Sequence, residues 1–175
     1  MSSRVLPSTL PALLSALALL AAPAWAQVGS TELTCAGGAY QTWDPGLRLS
    51  NRHVIASNYT SYDTCTSSDA LVTSGVLVAT TELSTSCAGN LGPTEATVTW
   101  DDGSVSTFTL QGSGVDVING ARVHVSVGLV TGGRFQGDAV TLTQAMTPVD
   151  LLSCLYPSGL TSLSGPSTLR LTRLR

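Results

Sequence analysis

The stretch that decides the fold runs from Glu95 to Leu110 and reads EATVTWDDGSVSTFTL. Its first half alternates, with Ala96, Val98 and Trp100 on one face and threonines on the other. This period of two predicts a β-strand with one buried face. Asp101-Asp102-Gly103 then predicts a three-residue hairpin loop, because glycine readily adopts the left-handed conformation that such a loop needs. The rest of the stretch returns as a second strand.

Further strand patterns lie on both sides of this hairpin, and tight turns join most of them. Downstream, Val115–Ile118 and Ala121–Thr131 flank Asn119-Gly120, a dipeptide typical of two-residue hairpins. Thr147–Leu155 is the one candidate for a short helix. Consecutive hairpins make neighbouring strands antiparallel, and a long meander hides its edges by closing on itself. We therefore predict an all-β fold, a single antiparallel β-barrel or barrel-like sandwich of about nine or ten strands.

The strand count depends on interpreting glycines as turns. Gly37-Gly38 is taken to end a first strand, Thr31–Ala36, before a less regular one from Tyr40 to Leu49. Gly112 and Gly114 are likewise taken to turn the chain after Leu110. Each such turn adds one strand to the total.

The amino terminus predicts export. Arg4 precedes an apolar run from Leu10 to Ala22, and Ala24-Trp25-Ala26 offers small residues where a signal peptidase cleaves. The run is too short to span a bilayer stably, so no membrane anchor is expected after cleavage. We predict a signal peptide over residues 1–26, a single β domain over 27–175, and a secreted protein.

Charge is sparse after residue 26, with 11 acidic residues, 7 arginines and no lysine. The net charge of 7 − 11 = −4 argues against a nucleic-acid partner, because neutralising phosphates requires clustered cationic side chains. It also argues against binding to an anionic membrane surface. Serine and threonine make up 40 of these 149 residues and would solvate the outer face of a sheet.

The four cysteines are Cys35, Cys65, Cys87 and Cys154. An even number after a predicted signal peptide indicates two disulfides, whose pairing is one of three possibilities. The cysteines are too far apart in sequence for the close pairs of a structural metal site. We predict no metal and no cofactor, and the dinucleotide, phosphate-loop and zinc-protease motifs are all missing.

Catalytic signals are weak. No G-x-S-x-G nucleophile turn occurs, and His53 and His124 are the only histidines. Each lies in a predicted strand on the face opposite the more apolar residues, so we expect both to face solvent or a rim. The alternative pairs one histidine with Asp44 or Asp116 as a general base with its orienting carboxylate. Asp101-Asp102 is interpreted as turn chemistry rather than a calcium site or a glycosidase pair.

Aromatic residues supply the candidate binding surface. Trp43 precedes Asp44-Pro45-Gly46, a turn signal, so we expect it to be exposed and name it with Asp44, His53 and His124 as weak ligand-binding candidates. Trp100 lies on the apolar face of its strand, so we expect it in the core. Tyrosines are further candidates for stacking on a sugar: Tyr40, Tyr59, Tyr62 and Tyr156.

Several short motifs follow one another along nearly the whole chain after residue 26: Thr34-Cys35-Ala36-Gly37, Asp44-Pro45-Gly46-Leu47, Cys65, Thr73-Ser74-Gly75, Val98-Thr99-Trp100-Asp101-Asp102-Gly103-Ser104, Ser106-Thr107-Phe108, Gly133-Arg134-Phe135-Gln136-Gly137-Asp138, Leu152-Ser153-Cys154-Leu155 and Gly159-Leu160-Thr161-Ser162-Leu163. In this order they resemble a family of small exported proteins found mainly in actinobacteria. The resemblance implies a disulfide-bonded β domain outside the cell. The resemblance implies no activity and identifies no catalytic residue.

Three functions are compatible with these observations. The first is a non-enzymatic exported β domain that binds a glycan or another envelope or extracellular ligand. The second is a small secreted hydrolase whose site is assembled from dispersed residues. The third is an inhibitor or toxin-like effector of a protein partner, acting through a rigid loop such as Cys87–Pro93.

Overall fold

The computed structural model describes residues 29–69, 71–89, 93–118, 121–146 and 152–174. The predicted signal peptide and Asn119-Gly120 lie outside these ranges. Eight strands are present in the described chain, together with one 3-10 turn at Ser153–Leu155. The strands are β1 (Ser30–Leu47), β2 (Arg52–Ser67), β3 (Gly75–Thr85), β4 (Thr94–Trp100), β5 (Val105–Ile118), β6 (Ala121–Gly133), β7 (Ala139–Met146) and β8 (Leu160–Arg173).

The eight strands form one closed barrel. Each strand pairs antiparallel with the next in sequence, and β8 pairs antiparallel with β1 to complete the ring. The predicted all-β antiparallel barrel is therefore confirmed. Closure gives each of the eight strands a neighbour on both sides, so the described barrel has no edge strand.

The predicted count of nine or ten strands is wrong, because two pairs of predicted strands are continuous. The ladder between β1 and β2 shifts register at Ala36/Gly37, and the ladder between β5 and β6 shifts between Gly112 and Gly114. These glycines are β-bulges inside long strands rather than turns between short ones. A Cβ added at Gly37 would lie 1.9 Å from the backbone oxygen of Ser61, so the close strand approach requires glycine there.

Side chains that point inward form two apolar clusters, one at each end of the barrel. The larger one includes Leu33, Val98, Trp100, Phe108 and Leu169, all nearly or completely buried. The smaller one contains Trp43, Leu47, Val54, Cys154, Leu160 and Leu163, with Ala56 also among its members. We call these the Trp100 end and the Trp43 end.

The Trp100 end is sealed by side chains. The indole N–H of Trp100 donates to the hydroxyl of Ser106 at 2.9 Å, and that hydroxyl donates to the backbone oxygen of Arg134 at 2.6 Å. Phe135 packs edge-on against the indole, with ring centroids 5.8 Å apart. The predicted core position of Trp100 is confirmed.

Turn chemistry accounts for the Asp101-Asp102 pair. Gly103 has a φ of 82°, the left-handed conformation predicted for this hairpin loop. Thr73 donates hydrogen bonds to Asp101 from its backbone and its hydroxyl, while Ser104 and Arg134 donate to Asp102. These donors lower the pKa of both carboxyls below the usual value. The carboxylate oxygens are thus occupied by the fold.

Arg134 joins three loops across the Trp100 end. Its guanidinium forms ion pairs with Asp102 and with Asp69, which lie in different loops. The hydrogen bond from Arg134 lowers the pKa of Asp69. Because these ion pairs lie at the surface and are only partly buried, the contacts order the loops more than they stabilise the barrel.

The predicted pair of disulfides is confirmed. Cys35 bonds to Cys65 across the paired strands β1 and β2. Cys87 bonds to Cys154, which joins the segment after β3 to the 3-10 turn before β8. Two disulfides indicate that the chain folds in an oxidising compartment.

Candidate functional site

A cavity lies inside the barrel between the two apolar clusters, and strands β1 to β7 all contribute to its wall. Part of that wall is apolar and consists of small or aliphatic side chains: Ala56, Leu77, Ala79, Ala96, Leu110 and Leu142. Alternation along each strand places these residues on the inner face. The apolar part can contact the hydrocarbon portion of a ligand.

The other part of the wall is polar and uncharged. It consists of Gln41, Asn58, Thr81, Thr94, His124, Ser126 and Gln144, with Gly112 between them. The fourteen lining residues include no aspartate, glutamate or arginine. Burial lowers the pKa of His124 from its ordinary value, so this side chain is neutral at pH 7.

Two nitrogen atoms in the polar wall have no hydrogen-bond partner among the described residues. They are Nε2 of His124 and Nε2 of Gln144, and both are inaccessible to solvent. The two residues face each other directly in the ladder between β6 and β7. Gln144 is only 5% exposed. Buried polar groups in native proteins normally have hydrogen-bond partners. These two nitrogens are therefore the atoms of the cavity wall to which a polar ligand group would bind.

The cavity has a volume of about 50 Å³. A water molecule needs roughly 10–15 Å³ on this measure, so the space corresponds to a few water-sized positions. Thr81, Thr94 and Gly112 are only partly buried, which makes the cavity accessible from the side of β3 to β5. An eight-stranded barrel of this kind has room for one small ligand or for part of a larger one.

The four predicted ligand-binding candidates are not brought together. Trp43 is 6% exposed and packs in the Trp43 end, so its expected exposure is wrong. Its indole faces inward because Trp43 continues the inward alternation of Ala39 and Gln41, and β1 extends past the predicted turn to Leu47. Asp44 and His53 are exposed on the outer surface, as expected for His53. Only His124 lines the cavity.

We expected His124 to face solvent or a rim, but its side chain lies on the wall of the interior cavity. The two faces of β6 were separated correctly, but their direction is reversed: His124 and Ser126 point inward, whereas Val127 and Leu129 are 43% and 48% exposed. The inner surface at this level of the barrel is polar, so apolar character does not identify the inward face. Alternation alone assigns residues to two faces without saying which one is buried.

Sequence reasoning missed Gln41, Asn58 and Gln144. Gln41 and Gln144 continue the inward alternation of otherwise apolar positions, namely Ala39 to Trp43 and Val140 to Leu142. An amide side chain in the inward register of a strand is a signal that could have found them. This signal can be used only after the inward face of the strand has been identified.

The pairing of His53 with Asp44 as a general base and its orienting carboxylate does not form. Asp44 and His53 share the outer face near the Trp43 end, yet neither a hydrogen bond nor an ion pair joins them. The side chain of Asp116 lies outside the described residues. No group of three or more metal-ligating side chains occurs in the described ranges.

The fold and the site define an eight-stranded antiparallel β-barrel with a small, mixed polar and apolar interior cavity. No protein-family model matches this chain, and neither curated proteins nor solved structures give a significant match. The resemblance to small exported actinobacterial proteins therefore stays a prediction. In the part of the chain that the structure describes, no helix has the length and apolar character needed to cross a membrane.

Proposed function

We propose that this protein is a non-enzymatic extracellular binding domain whose barrel interior takes a small uncharged ligand, or the uncharged end of a larger one such as a glycan. The observation that carries the proposal is the cavity itself, which combines an apolar wall with uncharged hydrogen-bonding groups. Ligand sites are typically concave, mostly apolar and equipped with a few placed polar groups.

Charge supports the choice of an uncharged ligand. Apart from His124, whose pKa is lowered by burial, no lining residue can carry a charge that would pair with a carboxylate or ammonium group. Moving an unpaired charge out of water costs far more than the few contacts of a small cavity return. A neutral group with one or two polar atoms meets no such cost.

Filling the cavity tests the proposal. Ala79 lines it, so Ala79→Phe should occupy the space and abolish binding of small neutral compounds. We expect butan-2-one, butan-1-ol and N-methylacetamide to bind the unaltered protein with millimolar dissociation constants, because a handful of heavy atoms provides about −4 kcal/mol. The measurement is a two-dimensional amide NMR titration that follows the lining residues.

Val78 gives a matched control, since it directly precedes Ala79 on β3 and its side chain points outward with 50% exposure. Val78→Phe should leave the titrations unchanged. If none of the three compounds shifts the resonances of lining residues in the unaltered protein, the proposal is wrong.

A second candidate surface lies on the outside of the barrel. Tyr40 and Tyr59 are direct cross-strand neighbours on β1 and β2, and they are 53% and 52% exposed. Val78, half exposed, is the next residue in the same row on β3. Adjacent aromatic faces on a sheet give a flat, amphipathic surface of the kind that a glycan could cover.

Substitution of the pair tests this surface. Tyr40→Ala combined with Tyr59→Ala should reduce retention on insoluble polysaccharide at least tenfold, because both stacking faces are removed. Tyr156→Ala is the control, as Tyr156 is 61% exposed but lies before β8. Equal retention of the double variant and the control on cellulose and chitin would exclude the surface as a glycan site.

A further inference from the structure

The cavity holds a more specific signal than its overall polarity. His124 and Gln144 lie opposite each other on β6 and β7, both line the cavity, and each has a buried side-chain nitrogen without a hydrogen-bond partner among the described residues. Side chains at directly paired positions have Cβ atoms about 4.5–5.5 Å apart. Rotation of the two side chains toward the cavity therefore lets both nitrogens contact one and the same atom of a bound group.

We infer that His124 and Gln144 together bind the carbonyl oxygen of an uncharged acyl group, with an acetamido group as the best fit. The inference rests on the proposed function. The amide nitrogen of Gln144 is only a donor, and neutral histidine donates from Nε2 in one of its tautomers. A carbonyl oxygen has two lone pairs and accepts both hydrogen bonds.

Size favours the same group. The volume of about 50 Å³ equals a few water-sized positions, which suits the four heavy atoms of an acetamido group. The apolar wall across the cavity, which includes Leu77, Ala79 and Leu110, can contact the methyl group. Anything attached to the nitrogen then extends through the accessible side between β3 and β5.

Charged relatives of this group are excluded by the same wall. A carboxylate would bring a full negative charge next to a neutral histidine and an amide, with no arginine among the lining residues. An ammonium group needs acceptors, whereas the amide nitrogen of Gln144 is only a donor. Both would be desolvated without a compensating ion pair.

An acetamido group can be attached to a sugar or to a hydrocarbon chain, so one test compound represents each case. N-acetylglucosamine carries it on a sugar, and N-butylacetamide carries it on a hydrocarbon chain. Glucosamine, butylamine and hexanoate are the charged counterparts, and butan-1-ol lacks the carbonyl group. We expect one or both acetamido compounds to bind at least tenfold more tightly than every charged counterpart, measured by NMR titration at pH 7.

Gln144→Met and His124→Leu test the pair, since each replaces a donor with an apolar side chain of similar length. Each should weaken binding of the acetamido compounds roughly three- to tenfold, the usual contribution of one hydrogen bond, and leave butan-1-ol within twofold. The ¹⁵N resonance of His124 Nε2 should shift on binding to the unaltered protein. Gln136→Met is the control, because Gln136 is exposed on the turn before β7.

The outcomes separate the two proposals. If Ala79→Phe blocks N-butylacetamide but Gln144→Met and His124→Leu bind it like the unaltered protein, the cavity is a ligand site and the acetamido inference is overturned. Charged compounds binding as tightly as neutral ones would overturn it as well. If no compound binds inside the barrel, both the inference and the proposed function fall.

Discussion

Removal of the Cys87–Cys154 disulfide should lower the free energy of unfolding by about 4 kcal/mol. This bond closes a loop of 67 residues, and the entropy of the unfolded chain makes the stabilisation grow with the logarithm of loop length. The bond is also the main attachment of the segment around the 3-10 turn to the rest of the barrel. Leu152, Leu155 and Tyr156 are more than half exposed, so the segment buries little apart from Cys154.

The double variant Cys87→Ala, Cys154→Ala tests this expectation by denaturant unfolding. The comparison variant is Cys35→Ala, Cys65→Ala, which opens a loop of 30 residues. The entropy term for the shorter loop is smaller by about 0.7 kcal/mol, but Cys35 is completely buried and its truncation also leaves a cavity. A loss below about 1 kcal/mol for the first variant would show that other contacts hold the segment.

Peptide mapping gives an independent check on the pairing. The sequence left three pairings open, because cysteine spacing says nothing about which strands become neighbours. The pairing follows from register: Cys35 and Cys65 occupy opposite positions in the ladder between β1 and β2. Cross-linked peptides containing any other pair would contradict the structure.

The sequence predicted the kind of fold well and its strand boundaries poorly. The hairpin at Asp101-Asp102-Gly103 was found because local turn chemistry and alternation agree there. Gly37-Gly38 was misread because a bulge and a turn have the same composition. What separates them is the close approach of Ser61 from the neighbouring strand, a contact 24 residues away that no local pattern contains.

The candidate site was predicted less well than the fold. Trp43, Asp44 and His53 were chosen for their residue types, and the barrel places none of them on the cavity. His124 was named for its chemistry but assigned to the wrong side of its strand. The cavity depends on which face of seven strands turns inward at one level, and that is a property of the closed barrel rather than of any segment.

Substitution of Trp100 by alanine should destabilise the barrel by about 3–5 kcal/mol. The indole is 2% exposed, donates to Ser106 and packs against Phe135, so its removal leaves a cavity as well as lost contacts. It also covers Gly75, where an added Cβ would lie 2.7 Å from the ring. Denaturant unfolding of Trp100→Ala measures the loss directly.

Phenylalanine substitutions at Trp100 and Trp43 separate hydrogen bonding from packing. Both indoles are buried, but the N–H of Trp100 donates to Ser106, whereas the N–H of Trp43 has no partner among the described residues. Trp100→Phe should therefore cost about 1 kcal/mol more than Trp43→Phe, the net contribution of one hydrogen bond. Equal losses would mean that the Trp100 hydrogen bond contributes nothing and that packing alone seals that end of the barrel.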